Sequence, residues 1–458
     1  MRLKPFLERL ASYASEPMLH TSTGTHSYGD LSRAVADRAA WLEAQGVRAP
    51  RSIVMLNADY SLPGIALLLA LYNQDQIVGV SAVGPDHEAR LAALDPEYVV
   101  DGHAMTVHRR ARETAGQAHP LTERLPAGRA GLVLFSSGTT GRPKAMLHDL
   151  DSVVDAFLGR RSRSLNVLLL LMFDHIGGLN TLFNVLAMGG AATLPPERSP
   201  DAVCAMIARH GAVVLPASPT FLNLMLVSGA SERHDLSSLR LITYGTEPMP
   251  ESLLARLKAR FPKVKLLQTF GTSETGIAST VSRSSGSLFM KIDDPSMEHK
   301  IVDGELWLRS QRQILGYLNA ESTRFTADGW FRTGDMVETT DDGFFRIRGR
   351  QTDIINVGGE KVFPGEVESC VGELPFVADC RAYGQANALT GQAVWVDVVL
   401  RAPGDSAAAA DPRALVKEIR AFTRARLEAY KVPVRINVVE ALAYSARFKK
   451  LHHQEQTS

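Results

Sequence analysis

The sequence predicts an α/β fold: a large N-terminal α/β domain with mostly parallel sheets, followed by a small, mobile α+β domain at the C-terminus. Three observations carry that expectation. Apolar strand-like segments alternate with segments of helical periodicity through the middle of the chain, the texture changes past residue 350, and 458 residues are enough for more than one domain.

Taken in order, "DAVCAMIARH" reads as a helix stopped by Gly211, and "AVVLPASP" as the strand after it. Next come the strand "LRLITY", the helix "PESLLARLKARF" and the strand "VKLLQTF". The helix places Leu253, Leu254, Leu257 and Phe261 on one face, so the three segments form a βαβ unit. A right-handed crossover makes its strands parallel, and the loops "GTEPMP" and "GTSETG" then emerge on the same sheet edge, where open α/β sheets bind ligands. In the last hundred or so residues, "QAVWVDVVL" reads as a strand. "DPRALVKEIRAF" reads as a helix with an Asp cap, a Pro at its first position, and Leu415, Ile419 and Phe422 at helical spacing. The intervening "RAPGDSAAAAD" is expected to be a surface loop, and "HHQEQTS" a frayed tail without metal.

Composition narrows the function classes. A net charge of +1 gives no reason to expect nucleic acid or an anionic membrane as partner. Cys204, Cys370 and Cys380 have neither CxxC spacing nor an even framework, which suits a reducing compartment. The N-terminal "MRLKPFLERLASYASEP" has no continuous apolar core, and runs such as "VLLLLMF" fall short of the ~20 residues of a membrane span. The expectation is a cytoplasmic protein.

The stretch "LVLFSSGTTGRPKAML" packs glycine, serine and threonine between an apolar run and a lysine. Small residues let backbone N–H groups approach an anion, so phosphate is one reading and an ordinary flexible loop the other. A Walker A loop is excluded: Gly138 and Gly141 are three apart, Arg142 and Pro143 precede Lys144, and Ala145 stands where a metal-binding hydroxyl would be needed.

Seven segments, in order, resemble the acyl-adenylate-forming superfamily of AMP-dependent synthetases and ligases, acyl-CoA synthetases among them. "SSGTTGRPKAM" resembles its phosphate loop, "YGTEPMP" its adenine-side loop and "TFGTSETG" the loop with a metal-linked glutamate. "GELWLRSQRQILGYL" is similar to the strand segment that follows, and "GWFRTGDMV" to the ribose motif. "GRQTDIINVGGEKVFPGEVE" resembles the hinge and first strands of the small domain, and "ALAYSARFKKL" the terminal lysine segment. "ALLLALYNQDQIVGVSAV" also looks like the family's early helix and strand.

The resemblance implies domains at 1–350, binding ATP and acid, and 351–458, a lid, with a pivot at Gln351 and Thr352. It implies that Ser137, Gly138, Thr139, Thr140, Gly141 and Lys144 hold the ATP phosphates and that Glu274 helps hold Mg2+. Gly245, Thr246 and Glu247 would lie beside adenine, with Phe270, Gly271 and Thr272; Phe270 replaces the usual tyrosine and keeps a ring for stacking. Asp335 would accept both ribose hydroxyls, and Arg350 would make a second ribose contact. His175 would line the acid pocket. Asp174 departs from the aromatic or apolar residue usual there, and either faces the pocket, reading an amine or hydroxyl, or stands behind it. The catalytic lysine aligns with Lys449, with Lys450 a competitor, because Phe448 replaces the motif's glycine and Ala443 its proline.

The implied activity is ATP-dependent conversion of a small carboxylic acid to acyl-AMP with release of pyrophosphate, then transfer to a thiol, most plausibly CoA, past the Gly358–Gly359 turn. Two alternatives stand beside it. The acceptor is a carrier-protein phosphopantetheine, expected in trans, or an amine; or the chain is a non-catalytic nucleotide sensor.

Overall fold

The computed structural model describes residues 3–82, 84, 86–111, 120–136, 142–401 and 412–451. Two seven-stranded sheets organise the N-terminal part. In one, Lys265–Gln268, Leu241–Tyr244, Val214–Ala217, Asn166–Leu168 and Ala191–Thr193 run parallel, followed by Pro17–His20 and the antiparallel edge Thr25–Ser27. The expected βαβ unit is here: Leu241–Tyr244 pairs in parallel with Lys265–Gln268, and helix Glu251–Arg260 between them buries Leu253, Leu254 and Leu257. Helix Pro200–His210 ends as its sequence suggests, at Gly211 with φ 65°, a left-handed conformation that costs glycine no steric strain.

The second sheet runs Gly316–Tyr317, Lys144–Asp149, Gly131–Ser136, Ile77–Ser81, Ile53–Asn57, Tyr98–Asp101 and Thr106–Arg109. The four strands Gly131–Ser136, Ile77–Ser81, Ile53–Asn57 and Tyr98–Asp101 are parallel, and Lys144–Asp149 is antiparallel to the first of them. Helix Leu62–Asn73 is buried on every side from Gly64 onward, which explains its apolar sequence up to Asn73, and one core cluster draws on both sheets.

A third sheet, of six strands, is antiparallel throughout its recorded pairings. The segment "GELWLRSQRQILGYL" divides between two sheets: Glu305–Ser310 joins the third, and Gly316–Tyr317 forms the edge of the second. That division carries Tyr317 to the mouth of the glycine-rich hairpin. The third sheet ends with Phe345–Arg350, and a 3-10 turn, Gln351–Asp353, leads into a five-stranded sheet. Helices Pro364–Val371 and Pro412–Arg424 accompany that sheet, and its core, with Val396, Leu415 and Ile419, is separate from the others. The architecture is a large N-terminal α/β domain and a smaller C-terminal one. The Asp411 cap, most of the expected surface loop and the tail 452–458 lie outside the described residues.

Candidate active site

Ser137, Gly138, Thr139, Thr140 and Gly141 lie outside the described residues, but the frame that holds them does not. The antiparallel hairpin Gly131–Ser136/Lys144–Asp149 pairs Ser136 with Lys144 at its open end. Asn319 pins one side: its Oδ1 accepts from the Ala145 N–H at 2.9 Å, and its Nδ2 donates to the Pro143 carbonyl at 2.8 Å. Lys144 Nζ lies 5.6 Å from the centre of the Tyr317 ring, and the Tyr317 hydroxyl donates to Glu274 Oε1 at 2.9 Å. A cation, an aromatic ring and a carboxylate therefore stand in line at the hairpin mouth. Tyr317 and Asn319 were not singled out from the sequence; their place directly after "ILG", in a segment that returns to the second sheet, is the signal that could have found them.

The loops at the C-terminal ends of the parallel strands build the next part. Gly245 follows strand Leu241–Tyr244, and a Cβ on it would stand 2.6 Å from the Thr269 carbonyl oxygen, so a side chain there would force the two loops apart. Thr246 has φ 72°, and Glu247 Oε1 accepts from the Thr220 N–H at 2.6 Å. Phe270–Thr272 pairs with Gly276–Ala278 as a ribbon, so close that a Cβ on Gly271 would stand 2.4 Å from the Gly276 oxygen. Asp335 and Arg350 face each other across neighbouring strands, with Arg350 Nε 3.4 Å from Asp335 Oδ1. Burial pushes the Asp335 carboxyl above the usual carboxylate range, against the pull of Arg350 and Arg324.

The C-terminal segment closes this region. A cleft of about 1840 Å³ is lined from the large part by Gly245, Phe270, Asp335 and Arg350 and from the small part by Arg447 and Lys449. Burial, then Arg350, lowers the Lys449 ammonium below its ordinary value, while Glu247 and Asp335 act in the opposite sense. Lys450 has a different environment. Its Nζ donates to the Cys380 carbonyl at 2.6 Å and lies 3.0 Å from Asp379 and 3.6 Å from Glu368. Burial alone would lower it, yet the two carboxylates hold it well above the ordinary lysine value. Both lysines line the cleft, but they divide by partner: the Lys450 ammonium is held by Asp379 and Glu368 of the small domain, while Lys449 faces Arg350, Glu247 and Asp335.

Phe448, between them, has φ 52°, which explains why a glycine suits that position. Its ring packs edge-on against Phe221 at 5.1 Å and beneath the Arg198 guanidinium at 4.8 Å. Ser218 Oγ donates to the Phe448 carbonyl at 2.9 Å, and Arg198 Nη1 to the Ala446 carbonyl at 2.7 Å. These contacts seat the lysine segment on the large domain.

His175 is not among the cleft-lining residues; it caps helix Ile176–Ala187, its Nδ1 accepting from the Gly177 N–H at 3.3 Å. Burial, with Arg447 and Lys449 nearby, pushes its pKa down to about 3, so the ring is neutral near pH 7 and carries its proton on Nε2. Asp174 does not read a substrate amine or hydroxyl directly. Its side chain is 1 % exposed and paired with Arg90 at 2.7 Å, so the reading that placed it facing the pocket is corrected: the carboxylate answers a buried cation. Removing one partner of such a pair leaves the other charge stranded. Asp174→Ala should cost about 3 kcal/mol or more in urea unfolding, with any loss of kcat/KM not confined to amino- or hydroxy-acids; a loss confined to those acids at unchanged stability would refute this placement.

Gly358 and Gly359 form a turn with φ 63° and 95° and are not among the cleft-lining residues. The structure therefore brings Lys449, not the Gly-Gly turn, to the cleft.

A large α/β domain with a small domain closed over a strand-end cleft defines the adenylate-forming class of enzymes. The chain belongs to the AMP-binding enzyme family, whose model matches residues 53–318, and the family's C-terminal domain model matches residues 366–449. It is 29% identical over 357 residues to an indoleacetate–CoA ligase of Aromatoleum aromaticum, covering 73% of this chain and 68% of that protein. Among solved structures, the anthranilate CoA ligase AuaEII with anthranoyl-AMP superposes with a TM-score of 0.81 at 20% identity, covering 99% of this chain and 97% of the other. The amide bond synthetase McbA of Marinactinospora thermotolerans superposes with a TM-score of 0.78 at 25% identity, covering 99% of each chain. No helix among the described residues is long and apolar enough to cross a membrane.

Proposed function

We propose that this protein activates a small carboxylic acid with ATP, forming acyl-AMP and pyrophosphate, and transfers the acyl group to the thiol of CoA. The observation that carries the reading is the meeting of Lys449, from the small domain, with the Asp335–Arg350 pair in one cleft whose other wall leads to Lys144, Tyr317 and Glu274. In-line attack of a carboxylate on a phosphorus joins two anions, so fixed cations and donors matter more than any nucleophilic side chain. Lys144 supplies a cation beside the departing pyrophosphate. Lys449 supplies a cation where the carboxylate and the α-phosphate meet. Asp335 accepts the ribose hydroxyls and Phe270 stacks on adenine, beside Gly245, Thr246 and Glu247.

Among the described residues no three His, Cys, Asp or Glu side chains converge as a metal cage. The fit is to a cation that takes one carboxylate, Glu274, and completes its shell with phosphates and water, as Mg2+ does. Bound there, Mg2+ would neutralise phosphate charge; Tyr317 would orient the Glu274 carboxylate toward it.

The domains divide between Arg350 and Gln351, and the small one turns about Gln351 and Thr352 between steps, bringing the Gly358–Gly359 turn to the thiol. The named CoA ligases among the relatives support CoA as acceptor; the likeness to McbA supports an amine as the competing one. ATP–pyrophosphate exchange with a panel of acids, followed by product analysis with CoA and with amines, tests both steps. Exchange plus thioester is expected. Exchange plus amide alone would replace the acceptor, and no exchange with any acid would favour a nucleotide sensor.

A further inference from the structure

Arg447, two positions before Lys449, lines the same cleft as Arg90. It is half-buried and makes no hydrogen bond or ion pair with any described residue. Burial pushes its guanidinium below the ordinary value, and the charged groups that face it are Asp174, Arg90 and Asp86. These lie on the acid side of the cleft. Lys449 has Arg350, Glu247, Arg447 and Asp335 as its charged neighbours, so it stands between the nucleotide side and Arg447.

Arg90, on helix His87–Leu94, completes the cluster. Among the described residues its Nη1 donates to Ser81 Oγ at 3.0 Å and to Asp174 Oδ2 at 2.7 Å, and its guanidinium lies 5.7 Å from the Phe135 ring centre. Arg90 and Arg447 carry two positive charges and Asp174 one negative, while Asp86 is exposed to water and His175 is neutral. Asp59 and Arg198, which also act on Asp174, offset each other, so among the described residues one cation is left unanswered in a half-buried wall, where an unpaired charge is costly. The carboxylate to be activated does not answer it, because that group belongs beside the α-phosphate, at Lys449.

We infer that Arg447 and Arg90 form an anion subsite, and that the acid activated here carries a second carboxylate that docks between them. The inference rests on the adenylation reading above and names its substrate class. Because Arg447 belongs to the small domain, the subsite is complete only when Lys449 is in the cleft. A diacid therefore favours the closed arrangement that activates it.

The test is ATP–pyrophosphate exchange by the intact protein with succinate, glutarate and phthalate, each against its monoamide, and with plain monocarboxylates. The wild type should prefer a diacid to its monoamide by about tenfold or more in kcat/KM, the scale of one charge-assisted hydrogen bond. Arg447→Gln should remove that preference mainly by raising the diacid KM, and Arg447→Lys should restore part of it. Exchange with monocarboxylates alone, or an equal loss on diacid and monoamide in Arg447→Gln, would overturn the subsite and leave adenylation standing; the equal loss would place Arg447 on the reacting carboxylate or the α-phosphate. Exchange with no acid would overturn the adenylation reading, and the subsite with it.

Discussion

Lys449→Ala is expected to slow acyl-AMP formation by about 10²–10³-fold, the loss measured when one preorganised donor is removed from a developing charge, while still converting supplied acyl-AMP and CoA to thioester. The asymmetry follows from where the side chain sits. Lys449 lies in the closed cleft with Asp335 and Glu247, whereas the Gly358–Gly359 turn is outside it, so the mutation removes a group needed only in this arrangement. Lys450→Ala should fail differently. It strands Asp379 and Glu368, at 3.0 and 3.6 Å from its ammonium, and should appear as a lower melting temperature. The two half-reactions, assayed separately beside a thermal melt, decide the matter. Equal loss in both steps for Lys449→Ala, or the adenylation defect appearing in Lys450→Ala instead, would exchange the two roles.

The second large effect is expected at the hairpin mouth. Lys144→Ala and Glu274→Ala should each cut pyrophosphate exchange by about 10²–10³-fold without unfolding the protein, because neither side chain contributes to the core. Tyr317→Phe should cost about tenfold, since it removes only the 2.9 Å hydrogen bond that orients Glu274 and keeps the ring beside Lys144. Exchange rates at saturating ATP and acid, with circular dichroism to confirm folding, measure all three. A Tyr317→Phe enzyme as impaired as Glu274→Ala would mean that the hydroxyl itself meets substrate.

Much of this protein was legible in its residues. The βαβ unit around helix Glu251–Arg260 could be read because leucines at helical spacing and short apolar strands obey local rules. The order of seven motifs identified the superfamily, and the family match across residues 53–318 bears that out. Local pattern did not reveal the six-stranded antiparallel sheet: a strand such as Glu305–Ser310 alternates along its length, but alternation does not say which strands will pair.

What the tertiary structure decided is which side chains meet. Asp174 was chemically able to bind a substrate amine, but Arg90, more than eighty positions away in the chain, takes it at 2.7 Å. Lys449 and Lys450 are neighbours in sequence and both line the cleft, but Asp379 and Glu368 hold the Lys450 ammonium while Lys449 faces Arg350, Glu247 and Asp335. Tyr317 becomes part of the candidate site only because its strand crosses to the edge of a different sheet from the strand before it. Spacing along a chain determines periodicity, caps and motif order, since these depend on residues a few positions apart. Charge pairing and cleft geometry depend on residues brought together by long-range packing, and no local pattern encodes which of the compatible partners the fold will deliver.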